Sequence, residues 1–141
     1  MDTIKNVLKE KEVYTVQSGS TIKATVDFMA SKSVGLLPVM KDEKLVGVFS
    51  ERDLIKRVIA QNKDLNTTLV DDVMSTNLIV AKIEETNEAL LAKMKEAKIR
   101  HILVIDNDKL VGVLSLRDLL EIDLHHFKST VEVLHNYIYS K

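Results

Sequence analysis

The chain of 141 residues carries 20 basic and 21 acidic side chains for a net charge of -1, with 45% hydrophobic residues. That is the composition of an ordinary soluble globular protein, either one compact unit or two very small ones that share a core. The balance excludes a nucleic-acid binder driven by phosphate neutralisation, which needs a basic surplus, and the lack of Cys excludes disulfides, Cys-ligated zinc and thiol chemistry.

Met1 to Glu12 is an amphipathic charged stretch without the apolar core of a signal peptide. No run approaches the roughly 20 apolar residues of a membrane span, so the reading places the protein in the cytoplasm. A short apolar strand follows at Tyr14-Thr15-Val16, then a helix near Thr21–Ser31 with Ile22, Val26, Met29 and Ala30 at helical spacing. Two strands come next, Leu36–Met40 and Leu45–Ser50, around the polar turn Lys41-Asp42-Glu43-Lys44. Another helix begins just after Ser50.

The same order then repeats. Leu45-Val46-Gly47-Val48-Phe49-Ser50-Glu51-Arg52-Asp53-Leu54 returns as Leu110-Val111-Gly112-Val113-Leu114-Ser115-Leu116-Arg117-Asp118-Leu119, an offset of 65 residues. Without a gap, ten of the 21 positions from 34–54 are identical in 99–119. The second copy predicts a strand at Leu78–Val80, a helix at Asn87–Lys98 and strands at Ile102–Ile105 and Leu110–Ser115. Two copies are too few for a solenoid. They suit a pseudo-symmetric α+β pair of β-α-β-β-α units, each with a small three-stranded sheet and its helices on one face. The predicted divisions are 1–66 for the first repeat with a helix before it, 67–122 for the second, and 123–141 for a C-terminal helical extension.

Ser50-Glu51-Arg52-Asp53 and Ser115-Leu116-Arg117-Asp118 read first as helix starts. A Ser N-cap accepts from the third helical N–H, and an acidic residue there suits the positive end of the helix dipole. The same geometry also sets a carboxylate at the end of a strand, where its two oxygens can take two adjacent hydroxyls. The two readings are compatible.

This duplicated pattern, an apolar strand with Gly and then Ser-x-x-Asp opening a helix, resembles the CBS (cystathionine β-synthase) domain family over residues 1–122. Val70-Asp71-Asp72-Val73-Met74-Ser75 resembles the segment that introduces a CBS repeat, and Pro38 matches a proline common in the family; Leu103 stands there in the second copy. The resemblance implies a regulatory, non-enzymatic module that packs two repeats through their sheets. It also implies an adenosine-type ligand (AMP, ADP or ATP foremost, S-adenosylmethionine or NAD besides) in the clefts between the repeats. By that resemblance Asp53 and Asp118 are the ribose ligands, with Ser50, Ser115, Arg52 and Arg117 beside the sugar or phosphate. One cleft would join Ser50, Arg52 and Asp53 to Ile79, Val80, Ala81, Ile99, Arg100 and His101. The other would join Ser115, Arg117 and Asp118 to Thr15, Val16, Val34 and Gly35.

Arg100-His101 stands where the family often places phosphate ligands, while its counterpart in the first copy is Gly35-Leu36. The phosphate would therefore belong to the Asp53 cleft. The plainer alternative makes Arg100 a solvated cation at a helix end and His101 a partly buried strand residue. Beyond Asp118, Leu120, Leu124, Phe127, Val131, Leu134 and Ile138 are spaced 4, 3, 4, 3 and 4, an a/d seam of fewer than three heptads. Left bare it would be an unusual apolar stripe, which favours a homodimer through helices, with an unknown client protein as the other candidate partner. His125, His126 and His135 do not share a helix face, so no metal site is expected. Nucleophile, Gly-rich phosphate-loop and metal-ligand signatures are missing as well. The competing reading is a scaffold whose clefts are vacant or filled by its own side chains.

Overall fold

The computed structural model describes residues 4–139. Its packing divides the chain into two units, one of residues 14–78 and one made of residues 1–13 with 79–141.

In the first of these, β1 (Val16–Gln17) lies parallel to β2 (Leu36–Lys41), which pairs antiparallel with β3 (Lys44–Ser50). The parallel neighbours need a crossover, supplied by α2 (Ile22–Lys32). Thr21 caps α2 by accepting from Ala24 N at 3.1 Å. Ser33, in the left-handed region at φ 56°, ends it. Ile22, Leu37, Val39, Phe49, Val58 and Val70 are wholly buried in the core of this unit, each contributing roughly 1.5–3 kcal/mol of burial against the cost of ordering the chain.

The second unit repeats the design. β4 (Val80–Lys82) runs parallel to β5 (His101–Asp106), β5 pairs antiparallel with β6 (Lys109–Ser115), and α5 (Asn87–Ala97) makes the crossover. Thr86 caps α5, and Lys98 ends it at φ 57°. Even the irregularities keep the 65-residue offset, since the register slips after Val39 in one sheet and after Val104 in the other. Both hairpins turn on two residues at positive φ, Asp42–Glu43 and Asn107–Asp108, the conformation that matches strand twist. The predicted α+β order and the eight core elements agree with these, with ends displaced by one or two residues.

Two differences bear on function. First, α1 (Ile4–Glu10), read from the sequence as part of the first repeat, packs on the second. Ile4 and Leu8 join Leu90, Ile102, Leu114 and Leu119 in one core, and a Cβ added at Gly112 would run into Leu8 Cδ2. Likewise α4 (Val70–Val73), read as opening the second repeat, packs in the core of the first. Val70 and Val73 enter its core, Val48 and Ser75 exchange backbone hydrogen bonds at 2.9 and 2.8 Å, and Met74 Sδ covers Gly47. Each introductory segment therefore covers the glycine of the repeat it does not introduce. Hydrophobic periodicity shows that a helix has an apolar face but not which core receives it.

Second, the helices after β3 and β6 are unlike. α3 (Glu51–Asp53) passes straight into a π-helical stretch, Leu54–Ile59, with i→i+5 bonds from Ala60 N to Ile55 O and from Lys63 N to Val58 O. Its counterpart continues as one regular helix, α6 (Leu116–Tyr139).

Candidate functional site

The Ser-x-x-Asp motifs sit where each sheet's last strand becomes a helix, and both close as reciprocal caps. Asp53 N donates to Ser50 Oγ at 3.2 Å while Ser50 N donates to Asp53 Oδ2 at 3.0 Å. Asp118 N donates to Ser115 Oγ at 3.1 Å, and Ser115 N to Asp118 Oδ2 at 2.8 Å. The capping reading is thus realised in both copies.

Beyond the cap the two carboxylates differ. Asp53 is 7% exposed, and its Oδ2 also accepts from Ser50 Oγ at 3.1 Å. Its Oδ1 accepts from Ser75 Oγ at 3.2 Å and lies 3.6 Å from Arg57 Nε. A carboxylate offers about four lone-pair sites, and here three hydrogen bonds and the Arg57 charge converge on them. Arg57 in turn donates to the carbonyls of Val73 and Met74 at 3.3 and 3.0 Å, tying the end of α4 to the Asp53 carboxylate.

Asp118 is held by Ser115 N, by the Ser115 hydroxyl and by the Lys11 ammonium, which lies 2.6 Å from Oδ2. Burial pushes the Asp118 carboxyl upward, but the hydrogen bonds from Lys11 and Ser115 and the Lys11 charge outweigh it, and its pKa is held below the ordinary 3.8. Neither Lys11 nor Ser75 was anticipated from the sequence. Both lie in the exchanged segments, so no pattern around Ser-x-x-Asp could have pointed to them.

Two other carboxyls are lowered in the same sense: Asp71 by bonds from the Ser18 hydroxyl and then Gly19 N, and Glu85 by Lys93 and then Lys82 N. Groups whose folded pKa lies below the unfolded value add stability above that value and lose it as pH falls through the folded one. Thermal melts should therefore be flat from pH 7 to 5 and fall below the ordinary values of 3.8 and 4.5. Lys11→Met should shrink that acid-side fall while leaving the shape above pH 5 unchanged; a melt that drops already between pH 7 and 5 would contradict the assignment.

The remaining predicted residues fall into distinct settings. Arg100, His101, Ser115 and Arg117 line one open groove of about 640 Å³ with Leu116, Leu120, Glu121 and Leu124. It is built within the second unit because Leu116 N bonds Arg100 O at 2.7 Å and His101 pairs with Ser115 across the β5–β6 ladder. The sequence reading had put Arg100 and His101 in one site and Ser115 and Arg117 in the other. Arg117 is held 3.3 Å from Glu121 one turn on. Asp118 opens instead to a neighbouring recess of about 300 Å³ formed with Val7, Glu10, Lys11, Glu121 and Ile122.

In the first unit Gly35 O accepts from Glu51 N at 2.9 Å, and the Glu51 carboxylate fills the space a side chain at Gly35 would need. Arg52 is exposed, and Thr15 and Val34 are half-buried. Val16 and Ala81, which the resemblance sets beside a base, have their side chains buried in the cores of their own units. Ile79, Val80 and Ile99 are half-buried, and Ile79 and Ile99 pack on the second core. Among the described residues no three His, Cys, Asp or Glu side chains gather to hold a metal, and no helix is long and apolar enough to cross a membrane.

The family model of the CBS domain matches residues 4–60 and 70–125. The CBS domain-containing protein YhcV of Bacillus subtilis is 32% identical over 119 residues, covering 84% of each chain. The crystal structure of the CBS domain protein NE2398 is 33% identical, with a TM-score of 0.80 over 88% of this chain and 99% of that one. The CBS domain pair of protein MJ0100, solved with 5-methylthioadenosine and S-adenosyl-L-methionine, has a TM-score of 0.73 over 83% of this chain and 92% of that one. At 24% identity that last likeness concerns the fold. Several other relatives are longer, and this chain spans 36% or less of their length.

Proposed function

The chain belongs to the CBS domain family, whose paired repeats form a regulatory module, and on that premise we propose that it is a sensor for an adenosine-containing compound. The observation that carries the reading is the duplicated carboxylate at a strand-to-helix junction, in both copies of a module whose fold is solved elsewhere with two adenosine compounds. AMP, ADP and ATP lead, with S-adenosylmethionine and NAD-type compounds sharing the same adenosine.

Of the two carboxylates, Asp118 is the better ribose ligand. The sequence favours the Asp53 site because of Arg100-His101, but both Asp53 oxygens are engaged, Oδ2 by Ser50 and Oδ1 by Ser75, whereas at Asp118 the bonds from Lys11 and Ser115 N both fall on Oδ2. A ribose diol at Asp118 would approach through Oδ1. The cations of the nearby groove, Arg100 and Arg117 with His101, supply phosphate donors on the same unit. The protein acts on a client by the difference in ligand affinity between two arrangements of the module, and it pairs with a second copy through α6. It works in the cytoplasm and is not an enzyme.

Calorimetric titration of ligand-free protein with AMP, ADP, ATP, S-adenosylmethionine and NADH tests this. One of them should bind, and Asp118→Ala should weaken it by roughly 10- to 150-fold, the equivalent of one charge-assisted hydrogen bond of about 1.5–3 kcal/mol. Equal binding by Asp118→Ala and wild type would move the ribose elsewhere. The scaffold reading has its own support in Lys11 and Ser75, which already occupy the carboxylates. It takes over if none of the five compounds binds.

A further inference from the structure

α6 uses two faces. Leu119 and Ile122 are buried in the second core, while Leu120, Leu124, Phe127, Val131, Leu134 and Ile138 stand 47–66% exposed, about 130° round the helix at 3.6 residues per turn. From residue 123 onward every described residue of the helix is exposed. Six apolar side chains in an unbroken 4-3-4-3-4 series thus line one exposed side of the helix, over about 27 Å.

We infer that two copies of this chain join through residues 120–138 of α6 as a parallel, in-register, two-stranded coiled coil. The inference rests on the homodimer reading above and gives it a surface, an orientation and a register. The seam puts Leu124, Val131 and Ile138 at a positions and Leu120, Phe127 and Leu134 at d positions. Two of three a residues are β-branched and two of three d residues are Leu, the combination that selects parallel pairs over higher oligomers.

The flanking charges select the same orientation. Asp123, one of whose oxygens accepts from Asn87 Nδ2 of α5, falls at a g position and Lys128 at the e position five residues on, which face each other between chains of a parallel pair and do so twice by symmetry. In the antiparallel register that keeps all six apolar residues in the seam, Phe127 would meet Val131, and each Lys128 would meet the other copy's. Parallel pairing places both modules at one end of the coil. It runs the seam back to Leu120 and Leu124, which also line the groove of Arg100, His101 and Arg117, so the second copy stands beside each phosphate-binding candidate.

The test uses the full chain, whose lack of Cys makes introduced thiols unambiguous. Sedimentation equilibrium should give a dimer, and Val131→Asp with Leu134→Asp should give a monomer that still melts cooperatively, because both side chains lie outside the buried cores, with a midpoint that no longer depends on protein concentration. Leu134→Cys should oxidise to a disulfide-linked homodimer. Lys128→Glu should weaken the dimer severalfold, and Asp123→Lys added to it should restore it. Cross-linking of Leu134→Cys chains to Leu124→Cys chains in place of their own kind, or a dimer untouched by the two Asp substitutions, would overturn the parallel coil and leave the homodimer reading standing. A wild-type monomer at hundreds of micromolar would overturn both.

Discussion

Phe49→Ala should cost about 3–5 kcal/mol of stability, the largest effect expected of any single truncation in the chain. Phe49 is the largest wholly buried side chain. It stands on β3 opposite Leu37, with Ile22, Val39 and Val58 in the same core. The neighbouring strand β2 and the core side chains of α2 wall the space it fills, so truncation leaves a cavity that the surroundings cannot close, and the cavity cost adds to the lost transfer energy. Urea unfolding followed by far-UV circular dichroism reads the effect directly as a lowered midpoint at unchanged slope. Leu114→Ala at the equivalent position, 65 residues on, should cost about 2–5 kcal/mol for the same reason. A loss below 1 kcal/mol at Phe49 would mean that this core is not packed as described.

Asp53→Ala should be the most damaging polar substitution, at about 2–3 kcal/mol. It removes the acceptor for Ser50 N, deletes the partner of the Ser75 hydroxyl and leaves Arg57 without its anion. Arg57 is half-exposed, so the ion pair itself adds little. Most of the loss comes from donors left unpaired at a buried site and from the missing cap. Asp118→Ala loses a cap and a more exposed pair with Lys11, for which about 1 kcal/mol is expected. Thermal melts of the two variants should rank in that order, and equal losses would contradict the distinction drawn between the two carboxylates. The ranking also governs the ligand titration: a binding defect in Asp118→Ala reports on the site, whereas one in Asp53→Ala must first be separated from a weakened fold.

Much of this architecture is legible in the residues. Strand positions, crossover helices and hairpin turns follow from apolar periodicity and polar turn residues, and the 65-residue offset carries over to the strand register because identical apolar positions face identical ways. The caps at Ser50 and Ser115 are equally local, and so they too can be read. The partners that decide how each carboxylate behaves are not, because Lys11 reaches Asp118 across 107 residues and Ser75 reaches Asp53 across 22. Repetition suggested equivalence, yet residue 57 is Arg and its counterpart, residue 122, is a buried Ile. One ties α4 to a carboxylate while the other fills a core. The grouping of Arg100 and His101 with Ser115 and Arg117 is likewise a property of the β5–β6 ladder, which fixes neighbours that a motif-by-motif reading assigns apart.

The exchange of introductory segments also orders events during synthesis. Every residue of the first core lies within one contiguous stretch, 14–78, so that core can close as soon as that stretch has left the ribosome. The other core needs Ile4 and Leu8 together with Leu119 and Ile122, which follow them by more than a hundred residues. Its opening helix must wait, apolar face uncovered, until more than a hundred further residues have been added, and then close a loop around a domain already formed. Synthesis therefore completes the two repeats by different routes, one locally, the other only when the segment before residue 14 meets the segment after residue 78.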